Sequence, residues 1–329
     1  MAVRRECGQD YHVPMEDGRL SRDDAGSAEA ILAGLKALES FNARDAEADE
    51  IEPGSALALL EAQFASSHGV GLLLKQSLAA AMDNLQALRR LLFADASTGA
   101  ASYRLYTHAP YSLVRTVIEC GSTVLWALLP EDGRERARRS LVLIARDVFN
   151  AASFWDTYLE EFHPERHAEA VEYFDGLRHE VNASAAAMGL PPIFSRKADG
   201  RWGYTTKNRT QTAILKDLQA EDQLPPELLY VWQFCSGYSH GLVWASGNGG
   251  LEPSRLDAGE GAGGAEPGVL QASGGDEPAM LHAPDGAEPG VLGASGGMEQ
   301  LQRVCRVAFD VVPRAWEVFD LRRRAWPLI

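Results

Sequence analysis

The chain has 329 residues, 46% of them hydrophobic, enough apolar material for a core that needs no metal or disulfide to hold it. Its four cysteines, Cys7, Cys120, Cys235 and Cys305, stand alone, with no Cys-x-x-Cys pair and no histidine at ligand spacing, which excludes a disulfide framework and points to a reducing cytoplasm. The formal net charge of −15 is uneven: residues 1–56 and 247–297 each carry −7, so the remainder is close to neutral and charge excludes neither RNA nor an acidic partner.

Residues 1–55 are polar and acidic with one amphipathic piece, SAEAILAGLKALESF, and read as a largely mobile N-terminal arm containing a short helix. Two early arginines have no apolar run behind them, so no secretory signal is expected. The helical core is expected over 56–246. Val70, Leu73, Leu74, Leu78, Ala81, Leu85, Leu88 and Leu92 recur at helical spacing and predict one long helix over 56–95, with Gly69 and Gly71 as its weak point. After the loop STGAAS, residues 110–129 form a helix that is apolar almost all round. Arg115 and Glu119 near its centre argue against a membrane span, since each would cost about 2.5–3.5 kcal/mol there.

Pro130 stops that helix, and Glu131 and Asp132 open the next, which should reach Phe162 with Glu135 and Arg139 paired one turn apart. HPERH provides a break. A helix over 165–188 follows, with Val171, Phe174, Leu177, Val181 and Met188 inward and Gly189 as its C-cap. Asp199-Gly200 predicts a hairpin flap near 193–206. Thr210 caps a short helix to Gln219, and Pro225 and Pro226 start the helix that carries YVWQFCSGYSHGLVWAS, 230–246. Residues 247–297 hold fifteen Gly, five Pro and no aromatic residue, a composition that cannot offset its chain entropy and predicts a disordered insert. Within it GAEPGVLQASGG at 264–275 recurs as GAEPGVLGASGG at 286–297. Residues 298–329 complete the core with a helix that Pro313 should kink. The fold class is therefore all-α, a helical bundle with a small β-hairpin flap and a disordered Gly/Pro-rich insert.

Arg115 and Glu119 enter the interior together, and Arg before Glu is the weaker order for a pair one turn apart, so a third group is expected. His240 and Tyr238, in a similarly apolar helix, are the natural candidates, and Ser236 shares a face with His240. Two readings fit. One is a polar network that fixes helix register. The other is a site, with Arg115, Glu119 and His240 as a catalytic set, or with Tyr238, Ser236, Trp126 and Trp232, joined by Trp244, walling a ligand pocket. A serine hydrolase is not expected, because Ser236 and Ser239 lack a strained strand-to-helix turn. Asp156, Glu160, His163 and His167 make a zinc-like stripe, but Pro164 breaks it, so no metal and no cofactor are expected.

Arginine outnumbers lysine 26 to 5, the usage of a GC-rich genome. THAPYSLVRTVIECGSTVLWALLP, DGRERARRSLVLIARDV and YVWQFCSGYSHG resemble a family of uncharacterised, mostly helical actinobacterial proteins, a likeness that implies fold more than function. More remotely, a polar His in a late helix of a bundle is similar to the HEPN superfamily, many of whose members are metal-independent RNases of toxin and phage-defence systems. Their motif sets an Arg four to six intervening residues before the His. Here those positions are Cys235, Phe234 and Gln233, so Arg115 would have to serve from another helix. The leading expectation is a non-enzymatic helical interaction or ligand-binding protein, cytoplasmic and homo-oligomeric. The alternatives are a HEPN-like RNase, with RNA as its partner, and a small-molecule pocket between helices.

Overall fold

A computed structural model of the chain describes residues 22–42, 44, 50–64, 69–94, 102–103, 106–204, 210–220, 224–242, 244–245 and 297–325. The elements are α1 (Arg22–Ala37), α2 (Glu39–Asn42), α3 (Ala56–Glu61), α4 (Val70–Leu92), β1 (Phe93–Ala94), β2 (Ser102–Tyr103), α5 (Ala109–Leu128), α6 (Gly133–Phe162), α7 (Pro164–Ala187), β3 (Phe194–Arg196), β4 (Trp202–Tyr204), α8 (Gln211–Gln219), α9 (Leu228–Ser239) and α10 (Gly297–Arg323). The architecture is the expected all-α bundle. The insert at 247–297 lies, apart from Gly297, outside the described residues.

The helix that is apolar nearly all round becomes the centre: α4, α8, α9 and α10 pack about α5, and α6 covers a further side. Side-chain oxygens start three helices, two of them, at Asp132 and Thr210, where the sequence suggests. Ser55 accepts from Ala58 N (3.1 Å), Asp132 from Arg134 N (3.0 Å) and Thr210 from Ala213 N (3.2 Å). At the end of α7, Leu190 N donates to Ala185 O (2.8 Å) and Gly189 N to Ala186 O (2.9 Å), closing the helix at Gly189. Among the described residues no helix is long and apolar enough to cross a membrane.

Three expectations need correction. The long helix expected over 56–95 is two, α3 ending at Glu61 and α4 starting at Val70 beside the weak point at Gly69 and Gly71, and Glu61 caps the second by accepting from Gly71 N (2.9 Å). The N-terminal segment is no mobile arm over 22–42. Ala28, Ile31, Leu35 and Leu38 recur at three- and four-residue spacing, are buried, and pack α1 on α10. Arg44 then forks onto both oxygens of Asp320 (3.0 and 2.7 Å) and lies 4.1 Å from the Trp316 ring, strapping the segment to α10. The expected small hairpin is present: β3 and β4 pair Phe194 with Tyr204, and it docks on α7, where Asn182 Oδ1 accepts from both Ile193 N and Phe194 N (2.9 Å each). Finally, Val171 points outward. The far ends of α6 and α7 pass beyond the main core, leaving Phe154, Trp155, Tyr158 and Phe162 exposed in mutual ring contact.

Candidate functional site

The chain segment GYSHGLVWA explains where α9 stops. The helix ends at Ser239, His240 occupies the cap, and Gly241 adopts φ +64, a left-handed conformation that costs other residues about 1–2 kcal/mol. Leu242 N then donates back to Gly237 O (2.9 Å), and the chain returns over α9. A Cβ on Gly237 would stand 2.6 Å from Trp244 Cζ2 and 2.8 Å from Ala245 Cβ, so this return requires glycine there. The predicted helix over 230–246 is thus shorter, and His240 is presented at its end, exposed.

Arg115 and Glu119 on α5 face that end. Arg115 Nε lies 2.9 Å from Glu119 Oε1, with the two side chains 26% and 29% exposed. The Nε–H is not directed at the oxygen, which makes the contact an ion pair without a well-formed hydrogen bond. Glu119 Oε1 also accepts from the Trp232 indole N–H (2.8 Å), and the Arg115 guanidinium stands 5.6 Å from the Trp232 ring centroid. On its other side, Arg115 Nη1 is 3.4 Å from His240 Nε2. A guanidinium only donates, so Nε2 is the acceptor, a role open to the neutral imidazole with its proton on Nδ1. One chain of contacts therefore runs from Trp232 through Glu119 and Arg115 to His240, joining α5 to α9.

The remaining predicted residues divide. Tyr238 turns away from this chain and stacks on Tyr111 (4.1 Å between centroids, 14° between planes), its hydroxyl directed at Gln300 and its carbonyl accepting from His108 Nδ1 (3.0 Å). Ser236 sits one turn before His240, half-buried, and its carbonyl accepts from His240 N (3.1 Å). Its hydroxyl has no partner among the described residues. Trp126 is fully buried two turns along α5 from Glu119, donating to Asp217 Oδ2 (3.0 Å), and walls no shared pocket with Trp232. Trp244 packs on Gly237. Among the described residues no group of three His, Cys, Asp or Glu side chains is arranged to hold a metal; His167 pairs with Asp156 at 2.7 Å instead.

The opposite side of Arg115 and Glu119 opens on a cleft of ≈ 830 Å³ between α4, α5, α6 and the start of α8. Leu72, Leu73, Leu143 and Ile144 give it apolar walls; Gln76, Asn150, Gln211, Arg146 and Asp147 bring polar groups. Cys120 lies in the same wall. Burial, with the Glu119 charge beside it and against the pull of Arg146, pushes its thiol up to about 11, so it is no ready nucleophile. A second depression of ≈ 710 Å³ lies between the start of α9 and α10, but its arginines are already satisfied, Arg306 by Glu227 (2.9 Å) and Arg314 by Glu317 (3.1 Å).

Sequence reasoning brought out Arg115, Glu119, His240 and Trp232, which the fold brings together. It missed Arg146 and Gln211. The signal for Arg146 was present in LVLIARDV, a cation inside an apolar run of the same kind that marks Arg115. No family model, curated protein or solved structure matches the chain.

Proposed function

We propose that the protein binds a small organic ligand in the cleft between α4, α5, α6 and α8. The observation that carries this is the cleft itself: its volume of ≈ 830 Å³ falls in the range of small-molecule sites, and a few convergent polar groups interrupt apolar walls. Because Arg115 and Glu119 belong both to the cleft wall and to the chain that ends at His240, a bound ligand has a direct route to the exposed end of α9. The protein acts in this reading as a non-enzymatic binder, cytoplasmic in keeping with its free Cys120, Cys235 and Cys305, and homo-oligomeric. Ala80→Phe, which fills the cleft from α4, provides the test. A metabolite panel should yield compounds that raise the melting temperature of the wild type and leave Ala80→Phe unmoved; equal shifts in both proteins would refute it.

A second reading is favoured by one distance, the 3.4 Å between Arg115 Nη1 and His240 Nε2 at an exposed surface. It makes the protein a HEPN-like, metal-independent RNase of a toxin or phage-defence system in an actinobacterium, with His240 as acid–base, Arg115 stabilising charge on phosphate and Glu119 orienting Arg115. RNA cleavage that persists in chelator and vanishes in His240→Ala would support this reading; RNA left intact by the wild type would end it.

A further inference from the structure

We infer that the ligand of the cleft is a monocarboxylate with an apolar body, its carboxylate seated on Arg146. This rests on the cleft being the ligand site. Arg146 is half-buried on α6 between Ala145 and Val148, both buried, and lines the cleft. Among the described residues it has neither an ion pair within 4.0 Å nor a hydrogen bond. Comparable arginines have partners: Arg139 has Glu135 (2.7 Å) and the Trp126 carbonyl (3.0 Å), and Arg322 has Glu131 (3.0 Å) and the Leu128 carbonyl (3.2 Å). Partial burial works against the charge of this guanidinium, while Tyr204, Glu119 and Asp147 pull the other way without bonding it. The planar fork that remains open to the cleft matches a carboxylate or phosphate bidentately.

The neighbouring groups narrow the class. Asn150 lies one turn from Arg146 on the same face and brings a second donor, while Leu72, Leu73 and Ile144 offer the apolar wall. Glu119 and Asp147 line the same cleft. Glu119 is already balanced by Arg115, but Asp147 is exposed at the rim, with no ion pair among the described residues, and repels added negative charge. One carboxylate is therefore accepted where a phosphate dianion or a nucleic acid is opposed.

Titration calorimetry at pH 7 with phenylacetate, 2-phenylethanol and phenyl phosphate tests this on wild type, Arg146→Gln and Arg146→Lys. The carboxylate should bind the wild type about tenfold or more tighter than the alcohol, the margin of one charge-assisted contact. Arg146→Gln should erase that preference while leaving the alcohol's affinity unchanged, and Arg146→Lys should restore part of it. Alcohol and carboxylate binding equally to the wild type would overturn the carboxylate assignment and leave the cleft as a ligand site. Phenyl phosphate binding tighter than phenylacetate would overturn the single-charge argument. No binding by any of the three, with Ala80→Phe indistinguishable from wild type in the metabolite panel, would overturn both. Arg146→Met adds a readout independent of ligand: its melting temperature should rise, and a fall would mean that Arg146 holds the fold together.

Discussion

Glu119→Ala removes the one group that both Trp232 and Arg115 use. The indole N–H of Trp232, only 9% exposed, then loses its 2.8 Å acceptor, and an unsatisfied donor at that depth costs about 1–3 kcal/mol. Arg115 loses its 2.9 Å ion pair at about a quarter exposure, worth about 1 kcal/mol, near the upper end for pairs not fully buried. The sum is about 2–4 kcal/mol, which for a protein of this size lowers the melting temperature by roughly 3–8 °C. Calorimetric unfolding at pH 7 reads it. The assignment also requires coupling: Trp232→Phe, which deletes the N–H, should cost less in the Glu119→Ala background than in the wild type, with a coupling of at least about 0.5 kcal/mol. A melting temperature unchanged by Glu119→Ala, or strictly additive effects of the two substitutions, would refute the reasoning that Glu119 ties α5 to α9.

Gly241→Ala places a side chain at φ +64 and should destabilise the protein by about 1–2 kcal/mol, with Gly241→Asn less damaging, measurable by urea unfolding. Asn182→Ala strips the acceptor from two backbone N–H groups and should cost about 2–3 kcal/mol, with amide exchange accelerated at Ile193 and Phe194. Glu135 is held down at about 2, first by its hydrogen bond to Arg138 and then by that to Arg139, against the effect of burial. Its folded-state value lies below the unfolded value of about 4.3, so its contribution is present above that pH and is lost as pH falls through about 2. Glu135→Gln should therefore melt lower than wild type at pH 7, and the gap should close between about pH 4.5 and pH 2.

Local signals made much of the bundle legible. Asp132, Thr210 and Gly189 mark helix ends through contacts within a few residues of themselves, and α5 and α10 carry apolar patterns long enough to declare their burial. What was hidden depends on distant parts of the chain. Apolar LVWA follows Gly241 directly, and only the fit of Trp244 against Gly237 shows that α9 has already turned back. In α1 the stripe of Ala28, Ile31 and Leu35, continued by Leu38 just after it, is too sparse to announce a core helix until α10 is beside it. For the site, charges in an apolar helix pointed to Arg115 and Glu119, and the same argument extended to Arg146 would have found the cleft. Trp126 shares the apolar surroundings of Trp232, yet its position two turns along α5 separates them, a separation that residue type does not encode.

The indole N–H of Trp232 is a reporter one contact behind the cleft wall, because its acceptor, Glu119, lines the cleft. The most direct test is to follow the tryptophan indole resonances by 15N-edited NMR while titrating the compound that most stabilises the wild type. Ligand binding in the cleft predicts a saturable shift of Trp232, with Trp126, held by Asp217, unmoved and the response absent in Ala80→Phe. A Trp232 resonance that stays in place, or one that shifts equally in Ala80→Phe, would contradict the account.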